Sequence, residues 1–177
     1  MDMFKQSLTL TPAFSEQLNL FRQAAQKQPH LSAENCKIVA WAAAMASQDK
    51  ALITLVRNYI GELNQEDKRL IITATTRMAV TNPYFMSRNV HPLQAGGTLT
   101  DLNMRPFQDL GIDNAIGYHY ACIAISLINQ GFACFNSHLS SLKMASETDK
   151  AIDQALRLVA SLTSMKQALF NQQVFDQ

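Results

Sequence analysis

The chain has 177 residues, which is enough to bury the core of one domain or of two small packed halves. Its 15 basic and 14 acidic residues give a formal net charge of +1, so the charge pattern predicts neither a nucleic-acid partner nor binding to an anionic membrane surface. The longest apolar stretch, 115–135, is interrupted by polar side chains and predicts a buried helix rather than a membrane span.

The spacing of apolar residues predicts an all-α fold, since glycine and proline are scarce and the apolar positions recur with helical periodicity. The first predicted helix has Thr11 as its cap and ends near Lys27, and Ser32 caps the second helix. The third helix ends near Gly61. Asn64 has an acidic residue three positions later and caps the fourth helix.

The composition changes over 81–112, which contains three of the five prolines and the pair Gly96-Gly97. Prolines and paired glycines interrupt regular structure, so this segment is predicted to be a connector with a short helix at 84–90. The fourth helix is therefore expected to end before residue 81.

Three further helices are predicted after the connector. Asp113 caps the first of them, which ends at the break formed by Gln130 and Gly131. The next helix carries a cysteine and a histidine. Ser146, with an acidic residue three positions later, opens the last long helix, which covers about 151–170.

The chain resembles two copies of one three-helix unit. Segments 64–70 and 146–152 align with a shift of 82 positions, and both pair a helix cap with an aspartate. We interpret 1–177 as a single domain with approximate repeat halves 32–80 and 113–170.

The repeat alignment separates a scaffold half from a half that carries polar residues. Under the same shift, Leu52 aligns with Cys134 and Val56 aligns with His138. The first copy therefore has aliphatic side chains where the second copy has a thiol and an imidazole. This difference places a candidate site in the second copy.

Cys134 and His138 are the candidate reactive pair. They lie one helical turn apart on one face, and Cys134 is close to the predicted helix start. The positive end of the helix dipole and a nearby base would both favour a thiolate. His119 begins the preceding helix and would approach Cys134 if the two helices form a hairpin. A buried structural cysteine beside a satisfied histidine remains an alternative.

The cysteine content gives no disulfide scaffold and no metal site. Three cysteines are an odd number and too few for such a scaffold, which is typical of a reducing compartment. Cys36 and Cys122 fall among apolar helix positions and are predicted to be core residues. Cys134 and His138 are too few ligands for zinc, so no metal is expected. Because the N-terminal residues lack a secretory signal pattern, we expect a cytoplasmic protein.

The segment 124–138 resembles the core motif of the alkylhydroperoxidase AhpD family, within the carboxymuconolactone decarboxylase superfamily. That motif reads as an apolar helix followed by Asn-Gly-Cys-x-x-Cys-x-x-x-His. The segment 82–88, with the sequence Asn-Pro-Tyr-Phe-Met-Ser-Arg, is similar to the family's Asn-x-x-Tyr-x-Arg region. The resemblance extends more loosely over the whole chain and implies the all-α AhpD-like helical fold.

The resemblance also shows where this sequence departs from the family. The family's second cysteine corresponds to Cys134 and its histidine to His138. Its first cysteine corresponds to Gly131, a residue between the cysteines corresponds to Ala133, and the glutamate of the proton relay corresponds to His119. The CxxC motif is therefore degenerate, and no disulfide between motif cysteines can form.

The resemblance implies an antioxidant enzyme of the peroxidase type that acts without a cofactor. In a cycle with one cysteine, Cys134 attacks a hydroperoxide to give a sulfenic acid, and His138 and His119 transfer the proton. An external thiol or a lipoyl-type dithiol would restore the cysteine. The family also implies a homo-oligomer, either a trimer or a hexamer.

Two alternatives to the peroxidase remain open from the sequence. In the first, the chain is a catalytically degenerate AhpD-like relative that acts as a ligand-binding or protein-interaction module. In the second, it is a lyase that acts on a small carboxylic acid, a role that no residue supports. Within the peroxidase reading, Cys122 could replace the missing thiol only if its Cα lies within about 7 Å of that of Cys134.

Overall fold

The computed structural model describes residues 12–175, which fold as the predicted all-α structure with no strand among them. The first helix continues as a π-helical segment, Gln23–Lys27, and two short 3-10 turns, Thr100–Leu102 and Phe107–Leu110, lie in the long connection. None of the described helices is long and apolar enough to cross a membrane. The α-helices are α1 (Pro12–Arg22), α2 (Ala33–Ser47), α3 (Lys50–Ile60), α4 (Gln65–Val90), α5 (Ala115–Ile128), α6 (Phe132–Met144) and α7 (Asp149–Phe175).

Two of the predicted helix caps are confirmed. The Ser32 hydroxyl accepts a hydrogen bond from the backbone N–H of Asn35 at 3.1 Å, and the Asn64 side chain accepts one from Asp67 at 2.7 Å. Each bond satisfies one of the backbone donors that a helix start leaves without a partner. The predicted cap Thr11 lies outside the described residues.

Two other caps differ from the prediction by one or two residues. Asn114, not Asp113, caps α5, because its side-chain oxygen accepts from the backbone N–H of Gly117 at 2.7 Å. Thr148 rather than Ser146 caps α7, because its hydroxyl accepts a hydrogen bond from the backbone N–H of Ala151 in the first turn. Ser146 has a φ of 64° and donates its backbone N–H to the carbonyl of Lys143, so it closes the end of α6 instead of opening α7.

Helix α4 does not end before residue 81, and the prediction of a separate short helix at 84–90 is wrong. It continues through Pro83, which removes one N–H donor and leaves the carbonyl of Ala79 without an intrahelical partner. Pro83 and Ala79 are both exposed, so water can solvate that carbonyl. Thr81 and Asn82 are buried, and their packing holds the helix together at this point. The non-helical connection therefore begins only after Val90.

The helices follow one another in the same order in both halves of the chain. Helices α2 and α5 begin at Ala33 and Ala115, and α3 and α6 begin at Lys50 and Phe132, so both pairs of starts are 82 positions apart. Gln48 and Gln130, which precede α3 and α6 by the same distance, both adopt left-handed backbone conformations with φ of 53° and 57°. The division of the chain into two repeat halves remains a prediction.

Helix α5 occupies the centre of the molecule, where it packs against α2, α4, α6 and α7. Its residues 120–125 are each at most 1% exposed. The Tyr120 hydroxyl donates to Glu147 at 2.6 Å and so connects α5 to the turn between α6 and α7. A helix that is apolar on all sides must be surrounded by others, and this burial fixes the position of any residue that α5 carries.

Gln154 connects α7 to the segment between α1 and α2. Its side-chain oxygen accepts from the backbone N–H groups of His30 and Leu31, and its amide nitrogen donates to the carbonyls of Ala24 and Gln28. Gln154 is 1% exposed. This single side chain therefore satisfies four backbone groups.

We expect Gln154→Leu to lower the free energy of unfolding by roughly 3 kcal/mol, because it leaves buried backbone donors and acceptors without partners. Urea unfolding followed by circular dichroism measures this loss. The matched control is Gln167→Leu on the same helix, whose exposed amide donates to Asn171 and whose loss should cost less than ~0.5 kcal/mol. Equal stability of the two variants would contradict the role of Gln154.

Candidate active site

The candidate site lies where α5 ends and α6 begins. The backbone N–H of Gly131 donates to the carbonyl of Ser126 at 2.8 Å, which closes the end of α5, and Gly131 then serves as the N-cap residue of α6. Cys134 is the third residue of α6 and His138 lies one turn further along. The short connection of 129–131 therefore sets both side chains against the end of α5 and the neighbouring helix α4.

The structure brings the three predicted site residues to one cavity. Cys134, His138 and His119 all line it, and the Nδ1 atoms of the two histidines lie 2.9 Å apart. Phe107 stacks on the ring of His119, with 5.8 Å between the ring centroids. His119 lies close to α6, the helix that carries Cys134, because α5 and α6 pack against each other as a hairpin.

The cavity has a volume of about 510 Å³ and lies between α4, α5, α6 and the long connection. This volume is within the range of small-molecule sites, roughly 300–1,000 Å³. The wall combines apolar, basic and hydroxyl side chains: Arg77, Met78, Thr81, Phe85, Arg88, Asn89, Gly97, Leu99, Phe107, Tyr118, His119, Ala133, Cys134, Ser137 and His138.

Both histidines are neutral at pH 7. Burial lowers the pKa of His119. Burial lowers the pKa of His138 to about 4, together with the positive charges of a protonated His119 and of Arg77. A neutral imidazole carries one N–H, so a hydrogen bond between two Nδ1 atoms requires opposite tautomers. One ring then presents an Nε2 lone pair and the other an Nε2–H. The pair therefore offers one base and one hydrogen-bond donor.

The Cys134 thiol is buried, with 6% of the residue exposed. Burial raises its pKa, and a hydrogen bond with Thr81 acts in the opposite direction. The sequence predicts that the helix start and the histidine favour the thiolate form of Cys134. In the structure burial outweighs these features, and the neutral His138 contributes no positive charge. At pH 7 the group is therefore a thiol.

Cys122 and Cys36 are buried in the core, as predicted. Burial raises the pKa of Cys36 to about 11, and its thiol bonds to the carbonyl of Ala25. Burial also raises the pKa of Cys122, which a hydrogen bond with Tyr118 opposes and the charge of Cys134 increases further. All three cysteines are free thiols.

Asn82 is a site residue that the sequence analysis did not identify. It is 1% exposed, and its side-chain oxygen accepts a hydrogen bond from the Ser126 hydroxyl at 3.0 Å. A Cβ atom added to Gly131 would lie 2.4 Å from the Asn82 Cγ. The Asn82 side chain therefore fills the space beside Gly131 into which a side chain at that position would project. The buried Nδ2 of Asn82 has no hydrogen-bond partner among the described residues.

Helix α4 contributes a second group, of which the sequence singled out only the part within 82–88. Arg77, Thr81, Phe85 and Arg88 follow one another at helical spacing and all face the cavity. This stripe is visible in the sequence only if α4 continues through Pro83. The expected break before residue 81 divided it between two elements.

Among residues 12–175, no group of three or more His, Cys, Asp and Glu side chains is arranged to bind a metal ion.

The fold and this cavity define an all-α protein with a buried cysteine beside a hydrogen-bonded histidine pair. No protein-family model matches the chain. Over 163 residues the chain is 27% identical to proteins named alkyl hydroperoxide reductase AhpD from Coxiella burnetii, strains Dugway 5J108-111 and RSA 493 / Nine Mile phase I. The similarity covers 88% of this chain and 90% of each relative. The chain is therefore similar to these proteins over most of its length.

Proposed function

We propose that this protein reduces organic hydroperoxides through a single cysteine, Cys134. The observation that carries the proposal is the convergence of Cys134, His138 and His119 on one cavity, with the histidines hydrogen-bonded at 2.9 Å. The similarity to proteins named alkyl hydroperoxide reductase AhpD supports the same class of substrate.

The histidine pair supplies the acid and base that the reaction needs. The neutral imidazole with a free Nε2 lone pair takes the proton of the Cys134 thiol, and the thiolate attacks the terminal oxygen of the hydroperoxide. The O–O bond breaks, and the alkoxide leaves with the proton held by the imidazolium. The balance is one thiol and one hydroperoxide to one sulfenic acid and one alcohol.

An external dithiol, for example the reduced dihydrolipoyl form of a lipoyl group, completes the cycle. One of its thiols displaces water from the sulfenic acid to form a mixed disulfide, and the second thiol releases Cys134. The dithiol is oxidised to a disulfide and one water is formed. This role falls to an external donor because Gly131 supplies no resolving thiol.

Trapping of the sulfenic acid tests the proposal. We expect dimedone to label Cys134 after addition of cumene hydroperoxide, and the adduct to be absent from Cys134→Ser and from protein not treated with hydroperoxide. Peptide mass spectrometry reads the adduct, and Cys36 is the internal control because its thiol is buried away from the cavity. A protein that leaves Cys134 unlabelled and the hydroperoxide unconsumed is not a peroxidase.

A ligand-binding role without redox chemistry is the second candidate. The observation that favours it is the raised pKa of Cys134, since a buried protonated thiol is a weak nucleophile. The same labelling experiment separates the two candidates. Ligand binding in the cavity with no sulfenic acid at Cys134 would favour the second.

A further inference from the structure

The cavity carries positive charge without an acidic side chain in its wall. Arg77 and Arg88 both line it, and no Asp or Glu is among the described residues that do so. The two histidines in the same wall are neutral at pH 7, so they do not add to this charge. A guanidinium is always protonated, and the fixed charge of the wall is therefore basic.

Arg77 is held in place by neutral partners only. Its Nη2 donates to the backbone carbonyl of Arg105 at 2.8 Å, and it hydrogen-bonds to the Tyr118 hydroxyl. No salt bridge among the described residues includes Arg77. A guanidinium has five N–H donors, so several remain for a ligand after these bonds. The partners fix the orientation of the group and leave its charge without a counter-ion.

The positive charge of Arg88 is more nearly compensated by its neighbours than that of Arg77. Its guanidinium lies over the Tyr84 ring at 5.7 Å from the centroid and donates to the carbonyl of Leu93 at 2.9 Å. Its charge also acts on Asp101, whose pKa is lowered mainly by Thr98 and only slightly by Arg88. Arg77 is thus the stronger anchor for an anion, and Arg88 adds to the field.

The wall of the cavity also has an apolar part. Met78, Phe85, Leu99 and Phe107 line the same cavity. A ligand that fits this wall has a hydrocarbon body and one anionic group. Sites of this kind use apolar surface for affinity and a few placed polar groups for orientation.

We propose that the cavity binds an amphiphilic carboxylate, with its anionic group on Arg77 and its hydrocarbon body against Met78 and Phe85. This inference deepens the proposed function, on which its catalytic part rests, because it makes the substrate a hydroperoxide that also carries a carboxylate. Guanidinium and carboxylate form paired, charge-assisted hydrogen bonds, which position a ligand as well as bind it. The carboxylate end would then orient the hydroperoxide group with respect to Cys134.

Binding is tested in the Cys134→Ser protein, so that the result does not depend on peroxide chemistry. Isothermal titration with decanoate and with the neutral decanamide compares two ligands of the same chain length. We expect decanoate to bind about tenfold more tightly or better, the effect of a hydrogen bond to a charged group. Decanamide that binds as tightly as decanoate would overturn the proposal.

Variants of Arg77 locate the anion. Arg77→Met should remove the preference for decanoate, whereas Arg77→Lys keeps the charge without the paired geometry and should retain part of it. The matched control is Arg157→Met, which removes the same charge from an arginine that pairs with Asp153 on α7 and does not line the cavity. A preference that survives Arg77→Met, or that Arg157→Met also removes, would overturn the proposal.

The two proposals can fail separately. If dimedone labels Cys134 after cumene hydroperoxide but decanoate shows no preference over decanamide, the peroxidase stands and the carboxylate site is wrong. If decanoate binds through Arg77 and no sulfenic acid forms, the carboxylate site stands as that of a binding protein.

Discussion

The alkylation rate of Cys134 should rise about tenfold for each pH unit above pH 7 and continue to rise beyond pH 9, the ordinary pKa of a cysteine thiol. Only the thiolate reacts with iodoacetamide, and burial raises the pKa of this thiol. Below that pKa the thiolate fraction is proportional to the hydroxide concentration. Peptide mass spectrometry after timed exposure to iodoacetamide measures the rate at Cys134 alone.

Thr81→Val tests the origin of this pH profile, and Thr76→Val is its matched control. The Thr81 hydroxyl hydrogen-bonds to Cys134 and lowers its pKa against the effect of burial. Its removal should therefore move the profile to higher pH, while Thr76→Val at an exposed position of the same helix should leave the profile unchanged. A rate that reaches a plateau at or below pH 8 would show a stabilised thiolate and would contradict the assignment of burial as the main influence.

Gly131→Cys, which would restore the family's pair of cysteines, should destabilise the protein by about 3 kcal/mol or more. The added Cβ would approach the Asn82 Cγ to 2.4 Å and the Asn82 Cβ to 2.6 Å, and Asn82 is buried. Removing the obstruction should recover part of the loss. The double variant Asn82→Ala and Gly131→Cys should therefore be more stable than the sum of its two single variants predicts.

Urea unfolding under reducing conditions measures these stabilities without a contribution from a disulfide. Gly131→Ala separates the effect of the Cβ from that of the thiol, because it introduces the same close contact with no sulfur. Asn82→Ala alone loses the hydrogen bond from Ser126 and supplies the remaining corner of the double-mutant cycle. Additive effects, or a Gly131→Cys protein as stable as the parent, would show that the Asn82 side chain rotates away at little cost.

Local signals in the sequence predicted much of the fold. Ser32 and Asn64 were predicted as caps because a short polar side chain before an apolar periodic segment satisfies backbone donors within its own turn. At Pro83 the same kind of reasoning gave a wrong prediction, because α4 continues through this residue. Its neighbours Thr81 and Asn82 are buried against other helices, and this tertiary packing keeps α4 intact where the local pattern predicts a break.

The candidate site was predicted in part. Cys134 and His138 share a helix face, so their proximity follows from helical spacing, and the family resemblance assigned His119 to the same place. The direction of the thiol pKa shift could not be predicted, because it depends on how other helices bury Cys134. The contact of Asn82 with the Gly131 position joins two distant helices and leaves no local pattern in the sequence.

The uninterrupted helix α4 has a mechanical consequence. Arg77, the anchor proposed for the ligand, and Arg88 lie on the same helix as Thr81, which hydrogen-bonds to the thiol. A break at Pro83 would have let one end move while the other stayed in place. Because the helix is continuous, a shift of its backbone when a ligand binds at Arg77 would also move the Thr81 hydroxyl beside Cys134.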